Sequence, residues 1–180
     1  LKILELRGLP ASLLIKIVHA YGGILGPAHP YGEKFMSMIT TTMRKEKYKE
    51  KITALMPQFD FVEIYNACES EETNAKARKL AEEYNKPGFG GSDAHRLDCI
   101  GMAYSEFPET VRSEDDLIAF VKTCPKIECG GTHYERTTKG KIGKLNEVIV
   151  DSFYVYNKVA NGWRGRKRRR ELDSIIENKL

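Results

Sequence analysis

Pro87-Gly88-Phe89-Gly90-Gly91-Ser92-Asp93-Ala94-His95 is the stretch whose reading decides the fold. Pro87 to Gly91 is a short apolar segment ending in glycines, and it reads as a strand. A carboxylate and an imidazole follow, two positions apart. Alternate residues of a strand point to one side, so the spacing predicts Asp93 and His95 side by side at a strand end. Those are the ligand types that hold Zn, Mn or Fe. Upstream, Ala28-His29-Pro30 supplies another imidazole at the end of another apolar segment. His29, Asp93 and His95 are therefore the candidate metal ligands.

Working outward, helix and strand signals alternate. Leu13, Leu14, Ile17, Val18 and Tyr21 form a helical stripe, with Pro10 suited to its start and Gly22-Gly23 to its end. Ile24 to Ala28 reads as a short buried strand leading into His29. Residues 43–55 read as a charged helix with Tyr48, Ile52 and Leu55 inward, stopped by Pro57. Phe59 to Asn66 is the next predicted strand, with Glu63 and Asn66 near its end. Ala77, Leu80, Ala81 and Tyr84 then repeat at helical spacing until Asn85 and Pro87 close the run. Ser113 is a predicted N-cap, with Glu114, Asp115 and Asp116 set against the positive end of the helix dipole. Leu117, Ile118, Phe120 and Val121 form the inner face of that helix, and Lys126 to Cys129 a last short strand. This alternation predicts an α/β fold with a largely parallel sheet, open or curled into a barrel. In either form ligands collect at the C-terminal ends of strands. His29, Glu63, Asn66, Asp93 and His95 all fall there.

Composition bounds the rest. The 180 residues suffice for one good core, and 41% hydrophobic with 30% charged residues is ordinary for a globular domain. No apolar run approaches the length of a membrane span, no signal peptide is visible, and the chain opens with Leu1 rather than Met. A first residue other than Met leads us to expect a fragment or processed product. The four cysteines, Cys68, Cys99, Cys124 and Cys129, contain no CxxC pair, which suits a reducing, cytoplasmic setting. The net charge of +4 is concentrated in Arg164-Gly165-Arg166-Lys167-Arg168-Arg169-Arg170. Residues 1–160 therefore read as the body and 161–180 as a basic tail or helix, with Leu172, Ile175 and Ile176 on one face. Such a run is a candidate nucleic-acid contact, although a solvated helix flank is the commoner explanation.

Three stretches together resemble the PHP family, named for polymerase and histidinol phosphatase. They are Gly22-Gly23-Ile24-Leu25-Gly26-Pro27-Ala28-His29-Pro30, Val62-Glu63-Ile64-Tyr65-Asn66 and Gly91-Ser92-Asp93-Ala94-His95-Arg96. A helix carrying Asn74, Ala77, Leu80 and Ala81 stands between the last two. The resemblance spans roughly residues 10–125 in order, spacing and motif. It implies a distorted (β/α)7 TIM-like barrel with two or three metals at its top, His29 as one histidine ligand and Asp93 with His95 as a ligand pair. Glu63 and Asn66 then take supporting or substrate-contacting roles near the metals. Family members open with a His-x-His element and further Asp, His and Glu ligands. The histidines here are His19, His29, His95 and His133, none in His-x-His. The resemblance thus implies the C-terminal half of such a protein.

The expected activity is hydrolysis of a phosphate mono- or diester, of histidinol phosphate, nucleotide or oligonucleotide type, by a metal-activated water. Arg96 is the candidate catalytic residue, clamping the phosphoryl oxygens with its fork, unless a neighbouring carboxylate takes it. A small phosphorylated substrate is the expected partner, and a homo-oligomer one expected arrangement. Two other classes compete: a non-catalytic module binding nucleic acid through Arg164 to Arg170, and a barrel-type amidohydrolase.

Overall fold

The computed structural model describes residues 9–32, 37, 38, 50 and 52–134, and beyond them 152, 155, 156, 159, 160 and 163. The chain divides into two compact units, residues 1–23 with 136–180, and residues 24–135. Tyr48 and the basic run from Arg164 to Arg170 lie outside the described residues.

In the first unit, α1 spans Ala11–Ala20. Pro10 precedes its first turn, where the missing N–H costs nothing. Its end is closed by glycines: Gly22 takes a left-handed φ of 76°, its N–H reaches His19 O, and the Gly23 N–H reaches Val18 O. That pair of bonds satisfies two carbonyls left over by the last turn. Leu13, Ile15 and Ile17 are buried, with Leu9 packed against Leu13 and Ile17. Tyr21, expected on the inner stripe, is instead 45% exposed. It follows the last helical residue, so the helical period no longer sets its direction.

The second unit centres on a β-α-β element. Strand β1 (Val62–Asn66) and strand β2 (Gly88–Gly91) pair in parallel, joined by helix α2 (Glu71–Glu83). Parallel neighbours need such a crossover. Helix α2 starts at Ser70, whose Oγ accepts from the Thr73 N–H at 3.2 Å, and it buries Ala77, Leu80 and Ala81. Asn85, at φ 50°, turns the chain back towards β2. The β1–β2 register slips between Glu63 and Tyr65. Bulges of this kind re-aim side chains beside functional sites.

Two departures from the sequence reading concern strands. Ile24 to Ala28 is not a strand. It runs beside the β1 segment, but the Leu25 N–H goes to the Asp60 carboxylate at 2.7 Å rather than to a backbone carbonyl, and Pro27 has no N–H to give. Only the carbonyls of Leu25 and Pro27 take part, accepting from Asp60 and Glu63. Likewise, the strand expected from Phe59 begins only at Val62, after the 3-10 turn Met56–Gln58 that contains Pro57.

Among the described residues the sheets are small and only partly parallel. Strand β3 (Ala103–Ser105) pairs antiparallel with β4 (Cys129–Gly131), so the last strand starts at Cys129 rather than Lys126. Between them, helix α3 (Glu114–Lys122) begins at Ser113 as expected, with Ser113 Oγ accepting from the Asp116 N–H at 3.1 Å. Four phenylalanines stitch these parts together. Phe61 meets Phe89 at 4.4 Å between ring centroids, Phe89 meets Phe107 at 5.7 Å, and Phe107 meets Phe120 at 6.3 Å. Tilted and edge-on pairs of this kind contribute about 0.5–1.5 kcal/mol each beyond area burial. The fold is mixed α/β.

Candidate functional site

Asn66 closes β1, Asp93 and His95 follow the end of β2, and His29 is joined to Glu63 near the start of β1. His29 begins the turn His29-Pro30-Tyr31-Gly32, closed by the Gly32 N–H on His29 O at 2.8 Å. Proline second and glycine fourth suit such a turn. Pro30 is fully buried, and His29 itself takes a left-handed φ of 27°. Its Nδ1 is buried and has no hydrogen-bond partner among the described residues.

Glu63 binds that turn from the next segment. Its Oε2 accepts from the His29 backbone N–H at 2.5 Å and from Asn66 Nδ2 at 3.1 Å. Its other oxygen lies over Gly91, where a Cβ would overlap it and stand 3.0 Å from Glu63 Cδ. Glycine at 91 thus makes room for a carboxylate. Burial pushes the Glu63 carboxyl up from its ordinary 4.5, over the opposing pull of the Asn66 and His29 donors and the His29 ring; the Asp93 charge adds to the rise.

Asp93 and His95 meet by a different geometry from the one expected. Strand β2 stops at Gly91, and Asp93 takes a left-handed φ of 51°, so strand alternation does not align them. The turn does. His95 Nδ1 sits 2.8 Å from Asp93 O and 3.6 Å from Asp93 Oδ1. The Asp93 side chain is only 14% exposed, while that of His95 is 69% exposed. Of four non-glycine residues with positive φ among those described, two are His29 and Asp93. Backbone held in this sparsely populated region clusters at functional sites.

Arg96 stands differently. Its guanidinium grips Asp98 through Nε at 2.9 Å and through Nη2, on the exposed surface. The neighbouring carboxylate has taken the fork. Tyr31, from the histidine turn, is turned towards α2; burial first, and then the Glu83 charge, raise its hydroxyl pKa. His19 and His133 are exposed.

Four participants were given no site role from sequence. Cys68, fully buried, donates through Sγ to Asp93 Oδ2 at 3.4 Å. Asn74 of α2 clasps the Asn66 backbone, at 2.9 Å to its N–H and 3.1 Å to its O. Tyr134 crosses the site edge, its hydroxyl donating to Ser92 O at 2.6 Å and Asp93 O at 3.0 Å, and its N–H to Ala67 O. Glu69, 4% exposed, brings Oε1 to 3.0 Å from where a Gly32 Cβ would stand, the same distance as His29 Nδ1. A carboxylate set directly before a helix cap, Glu69-Ser70, was the one available signal for this last.

Two imidazoles and a carboxylate fit Zn, Mn or Fe in kind. The orphaned His29 Nδ1 and the glycine cradles beside Glu63 and Glu69 fit a site built around charge. In number they fall short: among the described residues no three His, Cys, Asp or Glu side chains converge as a ligand group.

Comparison with known proteins bears on the same stretch. Residues 71–123 match the PHP-associated family. That match runs from the start of α2 through Asp93 and His95 to the end of α3, and it is consistent with the C-terminal portion of a PHP-domain protein. A stretch of 58 residues is 43% identical to an uncharacterized protein of Methanocaldococcus jannaschii, covering 31% of this chain and 24% of that protein. This chain thus spans about a quarter of the length of the curated relative it matches. No solved structure matches. No described helix is long and apolar enough to cross a membrane.

Proposed function

We propose that this chain is the C-terminal part of a PHP-type, metal-dependent phosphoesterase, a portion of its distorted (β/α)7 TIM-like barrel, with His29, Asp93 and His95 holding divalent metal. The observation that carries the reading is the Asn66 amide, which reaches the half-buried Glu63 carboxylate that holds the His29 N–H and, through Cys68, the Asp93 carboxylate. Further donors would come from the rest of the parent protein. A cation bound here supplies a Lewis acid and a water of lowered pKa for attack on phosphorus.

The chain's own residues set the stage for that chemistry. Glu63 and Asn66 hold the His29 turn by its backbone, leaving the ring free to ligate. Asp93, kept from solvent, offers its carboxylate inward, and His95 presents its outer nitrogen because Nδ1 is engaged with Asp93 O. Arg96 would exchange Asp98 for the phosphoryl group of a small phosphorylated substrate, the same planar fork serving both. The four cysteines, Cys68, Cys99, Cys124 and Cys129, with no CxxC pair among them, suit a cytoplasmic setting.

Elemental analysis of protein purified without chelator or metal-affinity tag tests the reading. We expect at least one equivalent of Zn, Mn or Fe per chain, lost in Asp93→Ala and in His95→Ala. In the complete parent protein both variants should lose turnover of phosphate esters. Unchanged metal content and rate in both would overturn the proposal.

A further inference from the structure

We propose that Asn74 is a positioning residue: by clasping Asn66, it holds the His29 turn and the Asp93 turn in one fixed relation, with Cys68 as the arm to Asp93. This rests on the metal-site reading above, since it concerns the residues that reading makes ligands.

The argument starts from a fork. Asn66 closes β1 and is 2% exposed. Its side-chain amide carries one donor group and one acceptor, and each faces a different ligand-bearing turn. Nδ2 donates to Glu63 Oε2, which also accepts from the His29 N–H. Oδ1 accepts from the Cys68 N–H at 3.0 Å, and Cys68 Sγ donates to Asp93 Oδ2. One planar group thus ties His29 on one side and Asp93 on the other. A carboxylate at 66 would face Glu63 with like charge, and an apolar residue would reach neither turn.

What keeps the fork aimed is Asn74. It too is buried, 5% exposed, in the second turn of α2, where its N–H bonds to Ser70 O at 3.0 Å. Its Oδ1 takes the Asn66 N–H and its Nδ2 gives to the Asn66 O, as a neighbouring strand would. With both backbone groups occupied, the last residue of β1 cannot twist, and its amide is delivered towards the site. Burying two amides costs desolvation that a pair of apolar residues would not incur. The arrangement repays that cost in geometry at the strand end.

The test uses the full 180-residue chain with Asn74→Ala, Cys68→Ala and Cys68→Ser. Val121→Ala, a truncation at a buried position of α3, is the control for general loss of stability. Backbone hydrogen exchange by NMR reads the relay without any metal. In Asn74→Ala the His29 and Cys68 amides should exchange roughly tenfold faster than in the control at matched global stability. Zinc affinity, by chelator competition, should fall roughly tenfold or more, the usual effect of losing an outer partner of a ligand. Cys68→Ala should weaken zinc while leaving the His29 amide protected, and Cys68→Ser, which restores a donor to Asp93, should recover affinity. Equal exchange in Asn74→Ala and the control would overturn the proposal, as would accelerated exchange with unchanged zinc affinity. If the unaltered chain takes up no zinc, the metal reading fails, and the exchange comparison still decides whether Asn74 holds the two turns.

Discussion

A carboxylate pressed against a glycine makes residue-scale consequences sharp. Gly91→Ala places a methyl group where Glu63 Oε1 lies. The side chain must give way, and its bonds to His29 and Asn66 go with it. We expect a loss of about 1–3 kcal/mol from overpacking and a roughly tenfold weaker zinc affinity, read by urea unfolding and chelator competition. Glu63 also makes a pH prediction. Its carboxyl is raised above 4.5, chiefly by burial. The unfolded chain therefore releases this proton first as pH climbs. The contribution of Glu63 to stability is fully present below its unfolded value and is lost as pH rises through its folded value. In metal-free protein, stability should fall over that window more steeply in the unaltered chain than in Glu63→Gln. Parallel pH profiles would refute the assignment. At this scale the motifs were legible in part: Asn66 closes β1, Asp93 and His95 follow β2, and Glu63 takes the His29 N–H, but Glu63 sits near the start of β1 and His29 follows no strand. Cys68, Asn74 and Tyr134 were not legible, because each acts through a backbone group or an atom brought close only by folding.

Among the elements, helix bounds were read more closely than strand bounds, for a physical reason: β1 and β2 fall inside the segments read as strands, but those segments ran longer. Helices α2 and α3 each carry local signals: a serine cap, acidic residues in the first turn and an apolar face. Strands β2 and β4 are three or four residues of mostly glycine, and β3 is Ala-Tyr-Ser. None is long enough to show a period of two. The antiparallel β3–β4 pair was consequently missed, and Ile24 to Ala28 was read as a strand although its donors do not form a ladder. The caps themselves are testable. Ser70→Ala and Ser113→Ala should each cost about 1 kcal/mol. The two caps have no shared partners, so the double variant should lose close to the sum, within about 0.5 kcal/mol. A smaller cost at Ser70 would mean that Thr73, whose hydroxyl lies 2.9 Å from Ser70 Oγ, takes over part of the cap.

For the whole molecule, the metal site proposed above would couple ion binding to folding. His29, Asp93 and His95 reach the site from two separate turns of the unit spanning residues 24–135, so an ion bound by all of them cross-links those turns only in the folded chain. A ligand that binds the folded form alone stabilises it in proportion to the logarithm of its concentration over Kd. At a hundredfold excess over Kd this is about 2.7 kcal/mol. For a chain of this size that corresponds to a Tm rise of roughly 5–10 °C. Zinc or manganese added to metal-free protein should produce such a rise, and it should continue with each further tenfold in concentration. Asp93→Ala should abolish it. Arg96→Ala should leave it intact, because Arg96 is engaged with Asp98 on the surface and holds no metal in this scheme. A rise that survives Asp93→Ala would place the ion elsewhere on the chain. A rise lost in Arg96→Ala would mean that the turn after His95 needs the Arg96–Asp98 pair to keep its ligands in place.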